Sequence, residues 1–179
     1  MLSRLFGRWR NSNQDIVDSL YERIVAAARR PVFYSHWNVP DTPLGRFEML
    51  SLHMLLFLHR CRRDDAALRD IAQELTDNFF TDVDHSLREL GIGDAGVPKR
   101  MKRLARMFYG RAHAYGEAID AGDAAVLARA LARNVLPAAA EWPEAALLAS
   151  YVLEADSMLA TQSAQEIATG RVDFPHRHD

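Results

Sequence analysis

The stretch from Pro43 to Arg60, PLGRFEMLSLHMLLFLHR, constrains this chain more than any other. At helical spacing Phe47, Leu50, Leu52, Met54, Leu55, Leu56, Phe57 and Leu58 fall on most sides of a helix. A helix that is apolar nearly all round is stable only when it is enclosed. It carries too many polar side chains to span a bilayer, and no run of about 18 apolar residues occurs anywhere in the chain. The other elements must therefore surround this one. Asp41 or Thr42 is its expected N-cap, with Pro43 in the first turn.

The remaining sequence supplies helices to do so. Ser12-x-x-Asp15 is a candidate cap for a helix to about Arg30, with Ile16, Leu20 and Ile24 on one face and Pro31 ending it. Residues 31–45 predict an aromatic loop holding Phe33, Tyr34, His36 and Trp37. A helix is expected from Asp64 or Asp65 to Phe80, and a short one from Thr81 to a left-handed cap at Gly91. Val97 to Asp120, Asp123 to Asn134, and a long segment from Trp142-Pro143 to Gly170 complete the set. No alternating β pattern of useful length appears. The fold class predicted is all-α, a single-domain bundle of about seven helices with short connections. Residues 1–12 read as a basic amphipathic segment, 13–170 as the helical domain, and 171–179 as a polar, disordered tail that includes His176 and His178.

Composition excludes several functions. The net charge of −2 means that any polyanion attraction must be local. The single cysteine, Cys61, rules out an internal disulfide framework and multi-cysteine metal sites, and a lone thiol suits a reducing cytoplasm. No signal-peptide apolar region is seen at the N-terminus. At the very start, Leu2, Leu5, Phe6 and Trp9 share a face with Arg4 and Arg8 interleaved, the pattern of a helix lying on an anionic membrane.

Charge is sharply divided further on. Residues 64–90 carry eight acids against two arginines. A glycine-rich turn follows, and then a helix with Lys99, Arg100, Lys102, Arg103, Arg106 and Arg111 and no acid before Glu117. Met101, Leu104, Phe108 and Tyr115 fall on one side of it and the cations largely on the other. This predicts a docking surface for RNA, an anionic membrane or an acidic partner, or else internal pairing with the acids of 64–90. The aromatic candidates for holding a client are Phe33, Tyr34, Trp37, Phe79, Phe80 and Tyr109. Adjacent aromatics cannot share one helical face, so one of each pair must turn outward or bridge helices.

Catalytic readings are weaker. Asp82-x-x-His85, with Asp84 and Glu89, has ligand-like i, i+3 spacing, but no second copy exists to complete a carboxylate-bridged metal site. His53 on the apolar helix reads as a core histidine. Cys61 among arginines reads as a cationic helix end. Gly91-Ile92-Gly93-Asp94-Ala95-Gly96 lacks the strand that a dinucleotide site requires.

Several segments together resemble the ubiquinol–cytochrome c chaperone family. They are Leu20-Tyr21 to Arg29-x-Pro31-x-Phe33-Tyr34, Val39-Pro40-Asp41-Thr42-x-x-Gly45-Arg46-Phe47-Glu48, Leu52-His53 and Asp77 to Asp84. Leu87 to Asp94 and Val97-Pro98-Lys99-x-Met101-Lys102 to Phe108-Tyr109-Gly110-Arg111-x-x-x-Tyr115 complete them. The match covers residues 15–120, beyond which the chain matches as generic helix. The resemblance implies a bacterial-type, non-enzymatic chaperone without cofactors. Its client would be newly made cytochrome b of the bc1 complex. A small assembly partner protein and a ribosome or anionic membrane surface would be further partners, with neither DNA nor a small-molecule substrate. The implied location is cytoplasmic or peripheral on the inner face of the cytoplasmic membrane. A helical metal enzyme using Asp82, Asp84, His85 and Glu89, and an RNA-binding helical protein, are the alternatives.

Overall fold

The computed structural model describes residues 2–62 and 66–176, with side chains for 13–62 and 68–176. The element order is α1 (Leu2–Ala28), α2 (Pro31–Ser35), α3 (Pro43–Cys61), α4 (Ala66–Glu89), α5 (Val97–Asp120), α6 (Ala124–Val135), α7 (Ala145–Thr161) and α8 (Ala164–Ile167). No strand occurs among the described residues, so the all-α expectation holds.

α3 is the axis. Fourteen of its 19 residues are buried, which spreads them around the whole circumference. Thr42 caps it by accepting from the Gly45 N–H at 3.1 Å. Gly45 is required there, because a Cβ would lie 1.9 Å from the Pro40 carbonyl oxygen. α1, α4, α5, α6 and α7 all touch α3, and neighbours within the surrounding layer run α1–α4–α5–α6–α7.

The layer closes between α7 and α1 through the C-terminal segment. Ser19 Oγ donates to the Gly170 carbonyl at 3.1 Å. The Arg30 guanidinium donates to the Phe174 and Pro175 carbonyls. Gln162 bonds the Asp173 backbone through both its amide nitrogen and its oxygen. This corrects the expectation of a disordered tail for residues 171–176. Val172 and Phe174 are each 2 % exposed, with Arg171 and Asp173 outside. That two-residue alternation is the pattern of an extended strap with one buried face.

Helix boundaries differ from the sequence expectation in four places. α1 continues through Ser12 without a break. Pro31 both ends α1 and starts the one-turn α2, where proline's missing N–H costs nothing. Thr81 begins no new helix, because its hydroxyl donates to the Asp77 carbonyl at 2.9 Å inside an unbroken α4. The last expected helix is split at Gln162–Ser163, where Ser163 and Glu166 form a reciprocal capping box that starts α8. Gly91 takes φ +79° and completes the cap of α4, with its N–H on the Arg88 carbonyl and that of Ile92 on the Leu87 carbonyl.

His53 lies fully buried, as expected of a core histidine. Met49 offers a carbonyl at 2.8 Å from Nδ1, so Nδ1–H donates and Nε2 accepts from the Tyr151 hydroxyl at 2.8 Å. Phe33 and Phe174 pack edge-on against its ring. Burial pushes its pKa down to about 4, against the opposing Met49 bond. The unfolded imidazole protonates near 6.5 while the folded one stays neutral, so stability present above 6.5 is lost as pH falls toward 4. Comparing urea unfolding at pH 7.5 and 4.5, we expect His53→Gln to lose about 2 kcal/mol less than the wild type. Equal losses would refute this account of the core.

Candidate interaction surfaces

α5 presents the basic face. Pro98 sits in its first turn, and Val97, Phe108, Tyr115, Ala118 and Ile119 anchor it to the core. Lys99, Arg100, Lys102, Arg103 and Arg106 are all exposed. Among the described residues none of the five is in an ion pair. Four acids of α4 bond elsewhere: Glu74 accepts from Asn13, Asp77 from Gln73, Asp82 from the Tyr21 hydroxyl, and Asp84 from Arg88, and among the described residues neither Asp70 nor Glu89 forms an ion pair with α5. Internal neutralisation of α5 by the described part of 64–90 is therefore not what the fold does. Asp64 and Asp65 lie outside the described residues.

Arg111 is the exception and corrects its assignment to the docking face. It is 6 % exposed and bonds Glu48 of α3 at 2.5 Å. At helical spacing it falls with Phe108 and Tyr115 rather than with Lys102 and Arg106. Burial raises the Glu48 pKa to about 7 even though Arg111 pulls it down. Among the described residues Glu48 Oε2, Arg111 Nε and the nearby Ser51 Oγ have no hydrogen-bond partner.

The aromatic candidates divide sharply. Phe33 and Phe79 are fully buried and Trp37 is 8 % exposed, so none of the three is a client surface. Phe33 and Trp37 pack edge-on against each other and against Tyr151, while Phe79 joins Phe47 and Phe108 in a stack between α3, α4 and α5. Tyr34 is half-buried with its hydroxyl on the Ala28 carbonyl. Phe80 is half-buried and Tyr109 is 60 % exposed. Each adjacent pair thus sends one ring inward and turns the other outward, and the outward rings of Phe80 and Tyr109 meet at 6.2 Å. The membrane-contact candidates Leu2, Arg4, Leu5, Phe6, Arg8 and Trp9 have side chains outside the described residues.

Two residues missed in the sequence stand out. Leu44 is 49 % and Leu90 57 % exposed. Both sit at helix ends, where the apolar stripe gives no instruction about which side is outward. They line one cleft of about 500 Å³ between α1, α3, α4 and α5, floored by Phe47, Leu50, Val83 and Leu87. Leu104 of α5 also lines it, so the cleft adjoins the basic helix. Its charged lining residues are Arg29, Arg46, Asp82 and Glu89. A second cleft of about 590 Å³ opens between α3, α4 and α5, beside Phe108 and Tyr109. The aromatic stack stands between the two.

Nothing in this arrangement supports the metal-enzyme alternative. Among the described residues no group of three or more His, Cys, Asp or Glu side chains could hold a metal ion. Asp82 and Asp84 are already bonded, as described above, and Cys61 is buried. Among the described residues no helix is long and apolar enough to cross a membrane.

A model of the ubiquinol-cytochrome C chaperone family matches residues 35–174. The chain belongs to that family. The match begins at residue 35, after the resembling segments of α1 and most of α2, and runs beyond position 120 through α6 and α7 to Phe174 in the C-terminal strap. The Xenopus laevis ubiquinol-cytochrome-c reductase complex assembly factor 1 is 27% identical over 142 residues, covering 78% of this chain and 70% of that protein. The crystal structure of the Cbp3 homolog from Brucella abortus is 55% identical and superposes with a TM-score of 0.91, covering 98% of this chain and 97% of that one. The family consists of assembly chaperones of the ubiquinol–cytochrome c reductase complex, not of enzymes.

The contrast between Arg111 and its neighbours on α5 is measurable. Arg111→Ala leaves Glu48 buried without a partner and is expected to cost about 3–5 kcal/mol in chemical unfolding. Lys102→Ala and Arg106→Ala, both exposed, are expected to stay within about 0.5 kcal/mol of the wild type. A near-neutral Arg111→Ala would contradict the buried pairing.

Proposed function

We propose that this chaperone binds newly made cytochrome b and holds it for assembly into the ubiquinol–cytochrome c reductase complex. The client's apolar segment lies in the cleft lipped by Leu44 and Leu90, and the basic face of α5 meets an anionic surface beside it. The observation that carries this reading is the pairing of two half-exposed leucines at the lips of an apolar cleft with five adjacent cations that no described acid neutralises. Exposed apolar side chains at a concave site mark a surface that is covered in the working complex. Cytochrome b is a membrane protein, so an unassembled copy offers apolar segments that need such cover. A chaperone that meets it at the inner face of the cytoplasmic membrane needs no membrane span of its own. Cations on a straight helix add attraction and orientation there, with a strength that depends on salt.

The test is co-purification of detergent-solubilised cytochrome b. Leu44→Asp combined with Leu90→Asp should lose the client, while far-UV circular dichroism stays unchanged because both side chains are already half in water. Charge reversal at Lys99, Lys102, Arg103 and Arg106 should weaken recovery in a salt-dependent way. Full recovery with both sets of variants would remove this reading.

A further inference from the structure

We propose that the second cleft, between α3, α4 and α5, binds a single-chain anionic amphiphile: an apolar tail carrying a carboxylate or phosphate head. Its volume of about 590 Å³ falls in the range of small-ligand sites, about 300–1,000 Å³. The floor is apolar, with Leu55, Leu56, Phe108 and Ile119 among its residues. Among the described residues the only formal charges lining it are those of Arg62 and Arg69, both exposed, and no described carboxylate lines it. That asymmetry occurs in a chain with 24 acids against 22 Lys and Arg. The first cleft, by contrast, balances two arginines with Asp82 and Glu89.

His59 is the remaining ionisable imidazole of the lining, and its two ring nitrogens are taken. Nδ1 meets Asp156 at 2.9 Å and Nε2 meets Asp120 at 3.2 Å. Those two acids therefore face the histidine, and among the described residues neither Arg62 nor Arg69 has an ion-pair partner. Position 116 of α5 is glycine, and a Cβ there would stand 3.9 Å from Arg62 Nη1 and 3.8 Å from the His59 ring. The guanidinium thus reaches from the end of α3 over α5, above a place where a side chain is missing. An apolar floor alone would accept any apolar group. Two cations at its rim with no acid among the described lining residues select a negatively charged head, and guanidinium suits carboxylate and phosphate alike. This inference does not depend on the client reading, which uses the other cleft.

Titration calorimetry of the full chain, below micelle-forming concentrations, separates the possibilities. Dodecanoate and dodecyl phosphate should bind saturably, each at least about tenfold tighter than neutral dodecyl maltoside, as expected of charge-assisted bonds to the head. Inorganic phosphate alone should not displace them. A preference between dodecanoate and dodecyl phosphate identifies the head. Arg62→Ala with Arg69→Ala, both on the surface, should abolish the preference for anions. Gly116→Leu should block all three ligands; a Cβ there meets His59 and Arg62 at ordinary contact distance, and the rest of the side chain extends into the cleft that Gly116 lines. Absence of saturable dodecanoate and dodecyl phosphate binding to the wild type would overturn the proposal, as would an unchanged preference in the double arginine variant.

Discussion

The fold depends on α3 being enclosed on every side while still carrying Glu48, His53, His59 and Arg60. Each of these would be costly in an apolar interior without a partner. Each has one on a surrounding helix. Glu48 and His59 reach α5 through Arg111 and Asp120, and His53 and His59 reach α7 through Tyr151 and Asp156. Arg60 donates to the Leu159 and Gln162 carbonyls at the end of α7. His53 and Arg60 lie seven residues apart and so share a side; Glu48 and His59, eleven apart, share another. The apolar surface of α3 supplies the drive for enclosure. Its polar stripes fix which helix sits on which side, because a slipped register would strand a buried charge.

That division explains what was legible in the sequence. The enclosure of α3 could be read from its apolar run, its cap from Thr42 and Pro43, and the end of α4 from Gly91, because each is a local signal with one physical meaning. The basic face of α5 was legible from its 3.6-residue spacing. Arg111 was misassigned because charge alone does not say that a cation pairs inward, and its partner Glu48 lies 63 residues away. Phe33, Trp37 and Phe79 were misassigned for a related reason: an aromatic side chain reads the same whether it faces a client, the chain's own α7 as Phe33 and Trp37 do, or the α3–α5 stack as Phe79 does. The strap had a readable signal in the alternation of Val172 and Phe174, overshadowed by the histidines and acids after it. Leu44 and Leu90 carried no local signal, since their exposure results from how four helices meet.

Functionally, the two clefts are consequences of the same architecture. α4 and α5 cover α3 through the aromatic stack of Phe47, Phe79 and Phe108, and at either end of that stack the helices part. One opening has leucine lips and balanced charge beside a cationic helix; the other has an apolar floor under two arginines. A member of an assembly-chaperone family, which is not an enzyme family, works through such surfaces.

Site-specific photo-crosslinking during cytochrome b synthesis tests the central claim most directly. A photoreactive residue placed at Leu44 or Leu90 should form an adduct with cytochrome b. The same probe at Val126, an exposed apolar residue on α6 that lines neither cleft, should form none. Equal adducts from all three positions, or adducts from Val126 alone, would contradict it.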